Sequence, residues 1–236
     1  MSGISNIPTF AFEHVAATLT PFDLPSLDSP ALSPILNTNG LVFPYNPVIS
    51  ESVSVKYNSI DLTHSNESYY AYQSTENVRI NISNAVWTCD TFDNAIYAMA
   101  ALHFLRSYSL MDFGVGNSGR PPSPMWFNAY GNYGFHRVPV LFEKADWTFP
   151  NDVDYVGIPE PASPEYESRI IQTNKGVDSG HYTWMPMKFE VSSISLIVQH
   201  SPAYWVNFTL EDYKSGAMVR RDQQSFHDVP KTSEAP

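Results

Sequence analysis

Hydrophobic and polar positions alternate with period two over much of this chain and switch to helical spacing in one long run, Asp90 to Tyr108. Val53, Val55 and Tyr57 alternate with Ser52, Ser54 and Lys56, and Val78, Ile80 and Ile82 alternate with Arg79, Asn81 and Ser83. Each pattern predicts a strand with one buried and one wet face, as in antiparallel sheets. Further strands are expected over Met125 to Tyr130, over Phe135 to Phe142, through Ala145, Trp147 and Phe149, and from Tyr204 to Leu210. Pro139, inside one of them, points to an edge or a bulge. Lys188 to Val198 carries Ile194, Leu196 and Val198 on one side and Phe189, Val191 and Ile197 on the other, which predicts cover on both faces.

The helical run over 90–108 has Asp90 or Thr91 to cap it, Asp93 near its positive end and Arg106 near its negative end. It is apolar nearly all round. Ala95, Ala98, Leu102 and Leu105 make one face, Tyr97, Ala101, Phe104 and Tyr108 a second, and Ile96, Met99, Ala100 and His103 a third. A helix lying on a single sheet needs one apolar stripe, so this one is expected to be covered on several sides, by its own fold or by another subunit. The fold class read from these patterns is mainly β with one long helix, an α+β arrangement.

Three stretches fall outside the alternation. Residues 1–40 place Pro8, Pro21, Pro25, Pro30 and Pro34 among Phe10, Phe12, Phe22, Leu24, Leu27, Leu32, Ile35 and Leu36, too apolar for a solvated linker, and predict an extended arm docked on the body or on a neighbour. The main domain is placed at 41–220, with a polar and aromatic hairpin tip or loop from Asp61 to Tyr72 and a long surface loop over 150–182. The polar end, 221–236, is expected to be disordered.

Charge and composition narrow the function. The formal net charge is −11, and 13 Lys and Arg cannot readily supply the basic patches that wrap phosphates, so a nucleic-acid-gripping surface is not expected. The single cysteine, Cys89, excludes an internal disulfide framework and a cysteine-based zinc site, and fits a reducing compartment. The N-terminus lacks a basic start and an apolar signal core, and no apolar run reaches membrane-spanning length, so the product is expected to be made and kept in a cytoplasm. The glycosylation patterns at Asn66, Asn81 and Asn207 are read as chance in that setting.

No motif carries catalysis. Gly114, Gly116 and Gly119 satisfy the dinucleotide spacing but follow a helix and precede Arg120-Pro121-Pro122, the reverse of the strand-then-helix order that holds a pyrophosphate. Asp112-Phe113-Gly114 matches a kinase triplet without its partner motifs. His14, His64, His103, His136, His181, His200 and His227 lie singly, so no metal site is nominated; His103 reads as a hydrogen-bonded interior or interface residue. Asp152 and Asp154 read as a polar turn rather than a carboxylate pair. No catalytic residue, cofactor or metal is expected, and the chain is not read as an enzyme. Trp126, Tyr130, Tyr133, Trp147, Trp184 and Trp205 are candidates for stacking on sugars, although most occupy strand positions suited to packing.

The blocks Phe43-Pro44-Tyr45-Asn46-Pro47, Val53 to Tyr57, His64-Ser65-Asn66 with Tyr69-Tyr70-Ala71-Tyr72-Gln73-Ser74, and the Ile80/Ile82 strand are followed by the helix ending His103-Phe104-Leu105-Arg106. Gly119-Arg120-Pro121-Pro122, Gly131, Val138-Pro139-Val140 and Asp152-Val153-Asp154-Tyr155-Val156 complete the series. In this order, over residues 41–215, they resemble the baseplate tube proteins of contractile-tailed bacteriophages. The resemblance implies the tail-tube fold: two packed antiparallel sheets with a flanking helix, six copies closing into a ring whose inner sheets form a barrel channel. It implies a structural virion protein of the tail or baseplate, a hub-proximal or tube-initiating ring. Its partners would be itself, other baseplate hub proteins and tail tube proteins, with DNA passing through the lumen without specific binding and no membrane involved. Tail terminators and secretion-system tube rings are near neighbours of this reading, and a carbohydrate-binding β-sandwich is the alternative from another class. Within the ring reading, Tyr97, Phe104 and Tyr108 are the expected subunit contact.

Overall fold

The computed structural model describes residues 17–22, 33–111, 119, 121–131, 134–159, 182–200 and 209–214. Half of these residues lie in strands, and the fold is mainly β with antiparallel pairing, as the alternation predicts. In chain order the elements are β1 (Thr18–Pro21), α1 (Ser33–Asn37), β2 (Leu41–Val42), β3 (Val48–Ser52), β4 (Val55–Ile60), β5 (Tyr69–Thr75), β6 (Arg79–Thr88) and α2 (Phe92–Ser107). They are followed by β7 (Met125–Ala129), β8 (Phe135–Thr148), β9 (Tyr155–Pro159), β10 (Tyr182–Pro186), β11 (Lys188–Val198) and α3 (Leu210–Lys214).

Seven strands form one sheet in the order β2-β1-β7-β8-β11-β6-β3, and β4–β5 and β9–β10 are two-stranded ribbons. The sheet has a dry face and a wet face. Ile80, Ile82 and Trp87 of β6, Phe127 of β7, Val140 of β8 and Phe189, Val191, Ile194 and Leu196 of β11 point into one core. Trp87 and Phe189 stack there with ring centroids 5.3 Å apart, and Phe43 tilts against Trp87 at 5.5 Å. On the opposite side of β11, Glu190, Ser193, Ser195 and Ile197 remain partly exposed. The expected cover on both faces of this strand is therefore corrected: only the Phe189–Val198 side is sealed.

Helix α2 lies on the dry side. Thr91 caps it as anticipated, its hydroxyl accepting from the Asn94 N–H at 3.2 Å, and the carboxamide of Asn94 donates to Asp90 at 2.7 Å. The run of buried residues from Tyr97 to Leu102, with Ala95, Phe104 and Leu105, is packed against α1, β6 and β9. The apolar faces of the helix are largely covered by its own protomer, while Phe92, His103, Arg106 and Ser107 stay exposed.

The described parts of the 1–40 segment, expected as an extended arm docked on the body or on a neighbour, pack into the body. β1 sits between β2 and β7, Leu19 is fully buried, and Ile35 of α1 belongs to the core. Gly40 makes this junction tight: at φ 132° its α-carbon passes so close to β1 that an added Cβ would lie 2.4 Å from the Leu19 carbonyl oxygen. Two expected strands over 135–149 are one, β8, in which register shifts against β11 keep Val140, Phe142, Ala145 and Trp147 opposite that strand's core-facing residues. β5 begins at Tyr69, inside the expected 61–72 loop, and β9 and β10 occupy the ends of the expected 150–182 loop. Leu210, the expected end of a strand, starts α3 instead. Residues 204–208 of that strand, residues 160–181 and the 221–236 tail lie outside the described residues.

Candidate interaction surfaces

Tyr97 shows why the helix is a core element. Its hydroxyl accepts from the Val42 N–H at 2.7 Å and donates to the Val42 carbonyl at 2.8 Å, closing both backbone groups of the edge strand β2 with one side chain. Burial pushes its phenol well above the ordinary tyrosine value, the Val42 bond acting in the opposite direction. Tyr97 is 1% exposed and Phe104 5%, with Phe104 packed on Tyr108 at a centroid distance of 4.4 Å. Tyr97 and Phe104, expected to face a neighbouring subunit, are buried by their own protomer, and Tyr108 is half-buried. His103, expected as an interior or interface residue, is exposed on the protomer.

The surfaces that remain open lie elsewhere. The wet face across β3, β6, β11 and β8 is rich in hydroxyls and carboxamides. Ser195 sits between Asn81 and Lys144, and Ser193 between Ser83 and Asp146. Ser195 donates to the Asn81 side-chain oxygen at 2.9 Å and Ser193 to the Asp146 carboxylate at 3.0 Å. Charges in this area are matched. Arg79 meets both oxygens of Glu143 at 2.6 and 2.7 Å, and Lys144 pairs with Asp146 at 2.6 Å. Lys144, and after it Ser193, hold the Asp146 carboxyl below the ordinary carboxylate range.

The β4–β5 hairpin is the second open surface. Every residue of both strands is exposed. Tyr57 and Tyr72 meet edge to face at 6.3 Å on one side of it, and Tyr69 and Tyr70 are 61% and 72% exposed. At its base Lys56 pairs with Glu76, which also accepts from Ser54 at 2.5 Å. A two-stranded ribbon with no covered face is at most marginally stable in water, so this one depends on its continuity with β3 and β6 or on a partner.

The sugar-stacking candidates divide. Phe22 stacks on Trp126 at 4.1 Å and 18° and the Arg137 guanidinium lies over the same indole at 5.0 Å, so this ring is already engaged within the protomer. Trp147 is half-buried with Arg106 over it at 5.6 Å, Trp184 is 62% exposed and Tyr130 48%. Tyr133 and Trp205 lie outside the described residues. Among the described residues no group of His, Cys, Asp and Glu is arranged to hold a metal ion, and no helix is long and apolar enough to cross a membrane. Cys89 is buried, and desolvation, with Asp90 beside it, pushes its thiol up to about 12, far from the thiolate a nucleophile requires. The glycine spacing over 114–119 falls largely outside the described residues. Sequence reasoning missed Arg137, whose only signal, Pro139 as the mark of a bulge, lies two positions away.

No protein-family model matches the chain, and no curated protein matches it.

Proposed function

We propose that this chain is a structural ring protein of a contractile phage tail, hub-proximal or tube-initiating, assembling with itself and with other baseplate and tube proteins around a channel for DNA. The observation that carries the reading is the unlikeness of the two faces of the seven-stranded sheet. One face is dry and sealed by the helix within the protomer; the other is wet, hydroxyl-rich and ion-paired. Sheets of this kind, set side by side with the wet face inward, would line a hydrated channel. Arg79 and Lys144 are already neutralised by Glu143 and Asp146, so this area offers no surplus positive charge to retain phosphates. The exposed hairpin supplies a surface for contact with a neighbouring protein.

The stacking version of the carbohydrate reading is not favoured at Trp126, whose ring already packs with Phe22 and Arg137. Mass photometry and negative-stain micrographs of the purified chain, alone and with its baseplate partners, test the ring reading. Closed rings are the expected outcome. A protein that stays monomeric at micromolar concentration with those partners present overturns it.

A further inference from the structure

On the same sheet face, away from the ion-paired area, β1, β7 and β8 border a cavity of about 410 Å³. Its lining includes Arg137, Asn39 and Thr20. None of the three has an ion pair or a side-chain hydrogen bond to another described residue. Arg137 is exposed and has no carboxylate partner among the described residues, so its guanidinium is open to a ligand.

The position of Arg137 is built rather than incidental. Phe127 pairs with Val138 and Ala129 with Phe135, so His136 and Arg137 together oppose the single residue Asn128, forming a bulge. Arg137 adopts φ 47°, a left-handed conformation that costs a non-glycine residue free energy and persists only where the surroundings impose it. Asn128 imposes it: its side-chain oxygen accepts from the Arg137 N–H at 2.7 Å, while its amide donates to the Thr18 hydroxyl at 3.3 Å. The guanidinium is then laid over Trp126, itself braced by Phe22, which limits the arginine's freedom and leaves its N–H edge available. Asn39 reaches the rim from the turn after α1, at φ 54°.

The free groups are mainly donors, arranged as a planar fork with a hydroxyl and a carboxamide near it. A fork of this kind is matched by a carboxylate, which it binds through two parallel hydrogen bonds. The neighbouring Thr20 and Asn39 suit hydroxyls on the same ligand, and the volume falls in the range of small-molecule sites. We propose that this cavity binds a small hydroxy-carboxylate of monosaccharide size, the carboxylate on Arg137 and its hydroxyls on Thr20 and Asn39. The inference is independent of the ring reading, since it uses neither the hairpin nor the ion-paired area.

Isothermal titration of the full chain with D-glucuronate, D-glucose and acetate tests it. Saturable binding of glucuronate is expected, with glucose and acetate each weaker by roughly tenfold or more, because one lacks the charge and the other the hydroxyls. Arg137→Gln should remove glucuronate binding, and Arg137→Lys, which keeps the charge and loses the fork, should weaken it by roughly tenfold. Thr20→Val supplies a second variant that does not touch the bulge; it should weaken glucuronate and leave acetate unchanged. Absence of saturable glucuronate binding at millimolar concentration, acetate binding as tightly as glucuronate, or binding unaltered in folded Arg137→Gln would each overturn the proposal.

Discussion

At Tyr97 one hydroxyl satisfies two backbone groups that β2, at the edge of the sheet, would otherwise leave unpaired in a buried setting. Tyr97→Phe keeps the ring and its packing but strands the Val42 N–H and carbonyl, and a buried unpaired group costs about 1–3 kcal/mol. The variant should therefore show a lower urea midpoint with an unchanged slope, and an unchanged midpoint would mean that water replaces the hydroxyl. Cys89 gives a residue-level pH dependence. Its thiol is raised from an ordinary 9.0 to about 12, so between those values the unfolded chain has lost a proton that the folded chain retains. This contribution to stability is complete below about pH 9 and declines as pH rises toward 12. Denaturant melts across that window should show a shallower decline for Cys89→Ala than for the parent; parallel declines would place the alkaline loss elsewhere, Tyr97 being the first alternative. The cap at Thr91 was legible in the sequence because its partner, Asn94, is three positions away in the same turn. The role of Tyr97 was not, because Val42 is 55 positions distant and only the fold brings the two together.

Among elements, those with a strong local period were the legible ones. β6, β11 and α2 appear where alternation and helical spacing place them. β8 reads as two strands in the sequence because bulges break its period, and a bulge is set by the partner strand rather than by the residues that carry it. β1 reads as part of an arm in the sequence because four residues ending in Pro21 carry little pattern of their own; its strand character comes from pairing with β2 and β7. The helix shows the limit of amphipathicity as a guide. Three apolar faces announce burial on several sides but do not distinguish a protomer's own core from a subunit seam, and here α1, β6 and β9 supply the cover. The hairpin is the opposite case, since its apolar side chains are local and remain exposed among the described residues. Replacing residues 55–75 with a short turn removes strands in which every residue is exposed. The loss of stability should therefore stay below about 1 kcal/mol, or roughly 2–4 °C in Tm for a chain of this size. A calorimetric fall well beyond that would show that the hairpin supports the core.

For the whole molecule, charge sets the terms of assembly. A protomer of net charge −11 that closes into a ring brings like charges together, and each added copy enters a more negative field. The described ion pairs do not relieve this, because Arg79–Glu143, Lys144–Asp146 and Lys56–Glu76 are satisfied within one chain and lie at exposed positions. Exposed pairs of this kind contribute about 0–1 kcal/mol and are screened by salt, whereas hydrophobic contact, such as the tyrosines of the hairpin provide, is not weakened by it. The Debye length falls from about 30 Å at 0.01 M to about 10 Å at 0.1 M and about 3 Å at 1 M, so repulsion between neighbouring protomers fades over that range. If rings form through apolar contact against net repulsion, the ring fraction at fixed protein concentration and neutral pH should rise with sodium chloride, as mass photometry would record. A ring fraction that falls with salt would reverse the physical picture: the seams would then be held by charge pairs between chains, and the exposed hairpin would not be the dominant contact.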